Sequence, residues 1–299
     1  MTTPAPKPRI VALPPPPPAP APGLLHRVDP GAAPPVVEWL ITNVVAAGCV
    51  TVLAGEEKSG KSRVVLQWAS AVAPRIPVAI VDAENGSGEI QRRLALLPCK
   101  PVVFEARGID IDANADQIER LLRAGYRLLI LDTLSSLWSG NDTVRSQVKP
   151  LFEGLRTLAQ QYNAGILVLT HTTKANEGMY RGSGAIGQTV EVIYTLTRGK
   201  DRNDRSRTLT CRGMRIGPEP KPVHYTVGDD GMFRPAPPPT PAPATTTPAP
   251  VRRTPAAPRV PTAREISKLV DQGVISKRQG RRTLEELGHV QKPWWRRGQ

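Results

Sequence analysis

Apolar runs at 49–54, 77–83, 101–105, 127–132, 164–170 and 190–197 alternate with stretches of helical spacing at 61–72, 87–97, 115–124 and 144–162. Strand and helix patterns in strict turn predict a mainly parallel sheet with helices on both faces, the α/β class. After Arg198 the pattern changes. Arg207-Thr208-Leu209-Thr210-Cys211-Arg212 and Pro222-Val223-His224-Tyr225-Thr226-Val227 flank a Gly/Pro-rich turn and predict an antiparallel hairpin added at one sheet edge. Ligands of such sheets sit beyond the carboxyl ends of the strands, so those ends are where chemistry is expected.

Proline distribution sets the domain boundaries. Of 33 prolines, 13 lie in residues 1–36 and 11 in residues 235–261, and neither stretch can supply the backbone donors of a helix or sheet. The expected organisation is a proline-rich tail at 1–36, a body at 37–233 long enough for one well-buried core, a Pro/Ala/Thr linker at 234–261 and a short basic module at 262–299. The tail and linker read as solvated spacers. The formal charge is +14, and residues 251–299 alone carry 12 Lys/Arg against 4 Asp/Glu, which points to an acidic partner for the C-terminal end. No apolar run approaches the roughly 18 residues of a membrane span, and no secretory-type segment opens the chain, so a cytoplasmic location is expected. Cys49, Cys99 and Cys211 lie far apart without C-x-x-C spacing and read as reduced structural thiols.

The chemistry begins at Gly55-Glu56-Glu57-Lys58-Ser59-Gly60-Lys61-Ser62, a complete G-x-x-x-x-G-K-[ST] phosphate loop entered from a strand and left through a helix. Glycines let backbone N–H groups close around phosphates, and the following helix adds the positive end of its dipole. Lys61 is expected to reach the β- and γ-phosphates of ATP, and Ser62 to place its hydroxyl on Mg²⁺. The strand ending Ile80-Val81-Asp82-Ala83-Glu84 offers a carboxylate to orient an attacking water. Glu84 is the first candidate, with Asp82 a competitor on the same side of the strand. Arg127-Leu128-Leu129-Ile130-Leu131-Asp132 has the form of a Walker B strand, its terminal Asp132 holding Mg²⁺ through water. Ile166 to Thr170 leads to His171, placed to sense a γ-phosphate or else to serve structure.

The order of phosphate loop, V-D-A-E, L-L-I-L-D, and L-V-L-T-H followed by Tyr180-Arg181-Gly182-Ser183-Gly184-Ala185-Ile186 resembles the RecA-like P-loop ATPases, in the branch of RepA-type and DnaB-type replicative helicases. The similarity runs from about Val36 to Val227. The resemblance implies a nucleotide held between neighbouring subunits of a homo-oligomeric ring, with six subunits favoured, acting on DNA. Gly213-Met214-Arg215-Ile216-Gly217-Pro218 is similar to the family's K-x-R-x-G-P turn, which makes Arg215 the candidate finger reaching into the next subunit's site. Gly213 departs from the lysine there, with Arg212 a possible substitute, and Glu191 departs from the acidic-small pair common in these helicases. Loops at 135–146 and 172–188, with Arg145, Lys174 and Arg181, would face a DNA channel; Arg181 has the equal alternative of buttressing the Gly-Ser-Gly turn.

At the C-terminal end, Thr262-Ala263-Arg264-Glu265 and Ser276-Lys277-Arg278-Gln279 are capping boxes that predict two helices, the first ending near Asp271 and the second near Leu287. The second carries Lys277, Arg278, Arg281 and Arg282, like-charge pairs four residues apart that a polyanion would relieve. The pattern resembles a minimal helix-turn-helix that binds DNA, or else a solvated helical hairpin. The combined expectation is an Mg²⁺-dependent ATPase on DNA, a ring-forming helicase by preference. A filament-forming recombination or repair ATPase and an ATP-switched initiator or adaptor are the alternatives.

Overall fold

The computed structural model describes residues 31–33, 36–142, 144–172, 184–199, 201, 203–238, 262–272, 276, 279 and 283–284. Lys174, Arg181, Lys277, Arg278, Arg281 and Arg282, the candidate DNA contacts, lie outside the described residues. The chain divides into two compact units, Met1–Pro239 and Thr240–Gln299.

The first unit is built on a nine-stranded sheet. A small antiparallel pair, β1 (Trp39–Ile41) and β2 (Val45–Ala46), precedes it. Then follow β3 (Val50–Gly55), α1 (Lys61–Val72), β4 (Val78–Asp82), α2 (Ser87–Ala95), β5 (Val102–Glu105), α3 (Ala115–Arg123), β6 (Leu128–Asp132), α4 (Leu134–Leu137) and α5 (Arg145–Gln161). The unit continues with β7 (Gly165–His171), α6 (Gly184–Thr189), β8 (Val192–Arg198), β9 (Ser206–Met214), β10 (Val223–Val227) and β11 (Phe233–Ala236). In space the strands run β11-β10-β9-β8-β3-β7-β6-β4-β5. The six from β8 to β5 are mutually parallel, and β9, β10 and β11 extend the β8 edge antiparallel.

The apolar strands are continuous because both faces are covered. On β6, Leu129 and Leu131 join one cluster with Val148, Phe152 and Leu155 of α5 and Ile118 and Leu122 of α3, while Leu128 and Ile130 join another with Val64, Val65 and Ala69 of α1. Alternate side chains of one strand thus enter opposite cores. Each fully buried leucine of this kind contributes about 2 kcal/mol relative to exposure.

Two expectations change. Strand β11 carries Arg234, Pro235 and Ala236 into the sheet, so these first residues of the expected linker belong to the folded body. Pro235 is tolerated because β11 is an edge strand, where a missing N–H leaves no ladder partner unsatisfied. The segment 135–146, expected as a channel loop, is partly core: Leu137 and Trp138 are buried, and Trp138 Nε1 donates to Asp112 at 2.6 Å. Arg145 remains exposed at the start of α5.

The second unit contains α7 (Ala263–Asp271), whose first turn closes as the sequence predicts. Thr262 Oγ1 accepts from the Glu265 N–H, and the Glu265 carboxylate accepts from the Thr262 N–H at 2.7 Å. Ser276 and Gln279 make the same reciprocal pair, the Ser276 N–H donating to Gln279 Oε1 at 3.0 Å.

Candidate nucleotide site

Strand β3 ends at Gly55, and the chain turns through Glu56 to Gly60 before α1 begins. Gly60 takes φ 95°, in the left-handed region, and a Cβ there would stand 2.6 Å from Phe233 Cζ. A Cβ on Gly55 would meet the Leu196 carbonyl at 2.7 Å and Ser59 Oγ at 2.9 Å. Both positions therefore require glycine, for conformation at one and for space at both. Helix α1 has no side-chain cap and no acidic residue in its first turn, so its leading N–H groups remain open to an anion.

Lys61 is 5% exposed, and its ammonium donates to the Gly55 carbonyl at 2.8 Å and the Glu56 carbonyl at 2.9 Å. Burial holds its pKa below the usual lysine value, against the opposing charges of Glu84, Asp132, Glu57 and Glu56. The Ser62 hydroxyl lies close enough to the Asp132 carboxyl to favour its ionised form. Asp132 closes β6 at 3% exposure, and its pKa is pushed up to about 7, first by burial and then by the charges of Asp82 and Glu84, which outweigh the Ser62 hydroxyl and the Lys61 charge. The buried Asp132 Oδ1 and Ser59 Oγ make no hydrogen bond among the described residues. A carboxylate raised by desolvation, beside a hydroxyl and with an unbonded oxygen, is a donor set that fits a hard divalent cation such as Mg²⁺.

The two carboxylates at the β4 end have different surroundings. Asp82 lies level with Asp132 in the β4–β6 register and is buried. It accepts from the Glu84 N–H at 3.0 Å, the Asn85 N–H at 2.8 Å and the Asn85 amide at 3.0 and 3.2 Å. Those bonds spend Asp82 on the turn, while Glu84, exposed two residues later, acts electrostatically on Lys61 and Asp132. His171 closes β7, the strand between β3 and β6, level with Gly55.

Arg215 is not with them. Met214 pairs with Val192, which is level with Thr51, and Arg215 lies one residue further on, opposite Glu191, so it stands about five strand residues, roughly 17 Å, back from Gly55. Its Nη2 donates to the carbonyls of Gly187 at 3.0 Å and Gln188 at 2.7 Å at the end of α6. Arg212 donates to Thr195 Oγ1 at 3.0 Å within its own sheet. Glu191 accepts from the Val50 N–H at 3.0 Å and pairs with Arg156 at 2.9 Å, which ties β3, β8 and α5 together and accounts for an acid at that position.

Three contacts to the loop escape any motif. Arg207 on β9 donates to the Ser59 carbonyl at 2.9 Å, Arg198 pairs with Glu56 at 3.4 Å, and Phe233 packs on Gly60. Phe233 is anchored by Gln67 of α1, which accepts from its N–H at 2.7 Å and donates to its carbonyl at 3.2 Å. The apolar Phe233 followed by Arg and Pro carried no strand signal.

Asp132→Asn is expected to stabilise the nucleotide-free protein. The carboxyl titrates at about 7 in the fold against an ordinary 3.8, so its contribution to stability is complete below about pH 4 and lost as pH rises through about 7. At pH 8 the ionised group costs up to roughly 4 kcal/mol. Removing the charge should recover about 1–2 kcal/mol, a gain of roughly 3–6 °C in melting temperature at pH 8 without Mg²⁺. A lower melting temperature for the asparagine variant would show that the charge is compensated in the native state.

The sequence is 26% identical over 196 residues to the DNA repair protein RadA of Mycobacterium tuberculosis, covering 63% of this chain and 39% of the relative. It is 24% identical over 213 residues to the DNA repair and recombination protein RadB of Archaeoglobus fulgidus, covering 66% of this chain and 94% of that one. The chain thus spans about two fifths of the length of the RadA relative. A solved structure of an ATPase domain superposes with a TM-score of 0.53 at 16% identity, over 62% of this chain and 84% of that one, a likeness of fold. The sequence model of the AAA domain matches residues 15–177, more than half of the chain. The chain belongs to that AAA domain family, and its architecture is that of a RecA-like P-loop ATPase.

Proposed function

We propose that the protein is an Mg²⁺-dependent ATPase acting on DNA, assembled as a homo-oligomeric ring and working as a replicative-type helicase. One observation carries the reading: Lys61, Ser62, Asp132 and Glu84 gather at the carboxyl end of the parallel sheet, while Arg215 stands at the opposite end. Lys61 and the open N–H groups of α1 bind and orient the triphosphate, and Ser62 with Asp132 holds the cation. Mg²⁺, when bound, neutralises charge developing between the β- and γ-phosphates. Glu84 accepts a proton from, and orients, the attacking water, and His171 reads the γ-phosphate from the neighbouring strand tip. Arg215, too far from its own loop, serves the site of the next subunit, and head-to-tail repetition of that contact generates a ring or a filament.

DNA enters this reading through the sequence resemblance, the basic C-terminal end and the repair proteins among the relatives. Lys174 and Arg181 are the proposed channel contacts, and Lys277, Arg278, Arg281 and Arg282 the proposed contacts of the C-terminal module. A cytoplasmic location is part of the proposal; among the described residues no helix is long and apolar enough to cross a membrane. The RadA and RadB similarities favour a second reading, a repair ATPase that forms filaments.

Steady-state ATP hydrolysis by the full chain should rise severalfold on adding single-stranded DNA, and the protein should displace a strand from a forked duplex in an ATP-dependent way. Stimulation without displacement would select the filament reading. Hydrolysis indifferent to DNA would leave only a nucleotide-switched adaptor.

A further inference from the structure

Two arginines reach the phosphate loop from outside its sequence. Arg198 closes β8 and Arg207 stands directly opposite it on β9. Like charges at directly paired antiparallel positions repel, so the pair persists only where each charge has its own acceptor. Here each arginine finds an acceptor in the loop. Arg207 Nε donates to the Ser59 carbonyl at 2.9 Å, and its Nη1 donates to the carbonyls of Asp204 at 2.9 Å and Ser206 at 2.7 Å, bridging the β8–β9 turn to the loop. Arg198 draws on the Glu56 carboxylate at 3.4 Å. Burial and the Arg198 charge hold the Arg207 pKa below its ordinary value, as expected for a guanidinium whose partners are neutral carbonyls.

The acceptors make sense of a difficulty in the loop itself. Glu56 and Glu57 put two carboxylates into a segment whose backbone is shaped to receive an anion. On the reading that the loop cradles a nucleotide triphosphate, we infer that Arg198 and Arg207 are positioning residues for that triphosphate. Arg207 fixes the Ser59 peptide so that the loop N–H groups turn inward, and Arg198 draws the Glu56 carboxylate out of the path of the phosphates. Fixing Ser59 also fixes the start of α1, because Gly60 and Lys61 follow directly and Phe233 closes the outer side of the turn. The loop is thus set in cis by the antiparallel extension of the sheet.

The test is equilibrium binding of a non-hydrolysable ATP analogue with Mg²⁺ to the full chain, in wild type and five variants, with melting temperatures alongside. Arg198→Ala should weaken binding about five- to tenfold, because Glu56 is then free to face the phosphates. Glu56→Gln should tighten binding, and the double variant should bind within about twofold of Glu56→Gln alone. Arg207→Ala should weaken binding about tenfold, and Arg207→Lys, which keeps one donor for the Ser59 carbonyl, should recover about half of that loss on a logarithmic scale. If the Arg198–Glu56 pair only braced the fold, Glu56→Gln would weaken binding as much as Arg198→Ala, and that result overturns the inference. Variants that bind like a binding-competent wild type also overturn it while leaving the nucleotide reading intact. A wild type that binds no analogue removes both.

Discussion

Lys61→Ala should lower ATP turnover by at least about 10³-fold while leaving the native fold as stable as before, or more so. The lysine is buried, and its pKa is depressed mainly by desolvation, so at neutral pH its ammonium costs more in the fold than in water. A group with a depressed folded pKa contributes stability only above its unfolded pKa, near 10.5, and that contribution is lost as pH falls through the folded value. At pH 7 alanine therefore removes a cost along with the two hydrogen bonds to Gly55 and Glu56. Catalysis has no such compensation, since Lys61 is the loop cation on which the charges of Glu84 and Asp132 act. Parallel measurements of turnover and thermal unfolding check both halves. Turnover within tenfold of wild type would remove the phosphate-loop assignment, whereas a collapse in stability would mean that the ammonium braces the loop rather than waiting for phosphate.

The parallel half of this architecture was legible because each strand is apolar on both faces and each helix is apolar on one. The run Leu128–Leu131 reads directly as a strand serving two cores, and the glycines of the phosphate loop announce their backbone requirement. What remained hidden was short or depended on tertiary contact. Strands β1 and β2 have three and two residues, too few to establish a period of two. Strand β11 contains a proline and is recognisable only from its pairing with β10 and the grip of Gln67 on Phe233. In the candidate site, sequence named Lys61, Ser62 and Asp132 and put Glu84 ahead of Asp82 without a contact to tell them apart. Their separation needed the hydrogen bonds that occupy Asp82, which depend on how the chain turns after β4. Arg198 and Arg207 were invisible for another reason: their partners are a loop carboxylate and a backbone carbonyl more than 140 residues away, and no local pattern encodes such a contact.

Arg215→Ala should reduce turnover by about 10³-fold or more with a much smaller effect on nucleotide affinity, because a supplied guanidinium acts on charge that develops only in the transition state. In one chain Arg215 rests on the carbonyls of Gly187 and Gln188, roughly 17 Å of strand away from its own loop, so on the proposed reading its guanidinium serves another subunit's site. Two neutral carbonyls are weaker partners for a guanidinium than a phosphate is, and a neighbour's bound triphosphate would draw it off α6. Complementation makes the point decisive. Lys61→Ala supplies a finger without a cradle, and Arg215→Ala supplies a cradle without a finger. Mixed in equal amounts and allowed to reassemble, the two inactive proteins should regain roughly one quarter of wild-type turnover, the fraction of interfaces at which an intact cradle meets an intact finger in a head-to-tail assembly. Turnover per subunit should also climb with protein concentration in the wild type. Absence of recovery in the mixture, with both variants folded and co-assembling, would mean that Arg215 only anchors α6 to the sheet. In that case the stimulating charge would have to come from another group, and the opposed placement of Arg215 and the phosphate loop would no longer argue for a shared site.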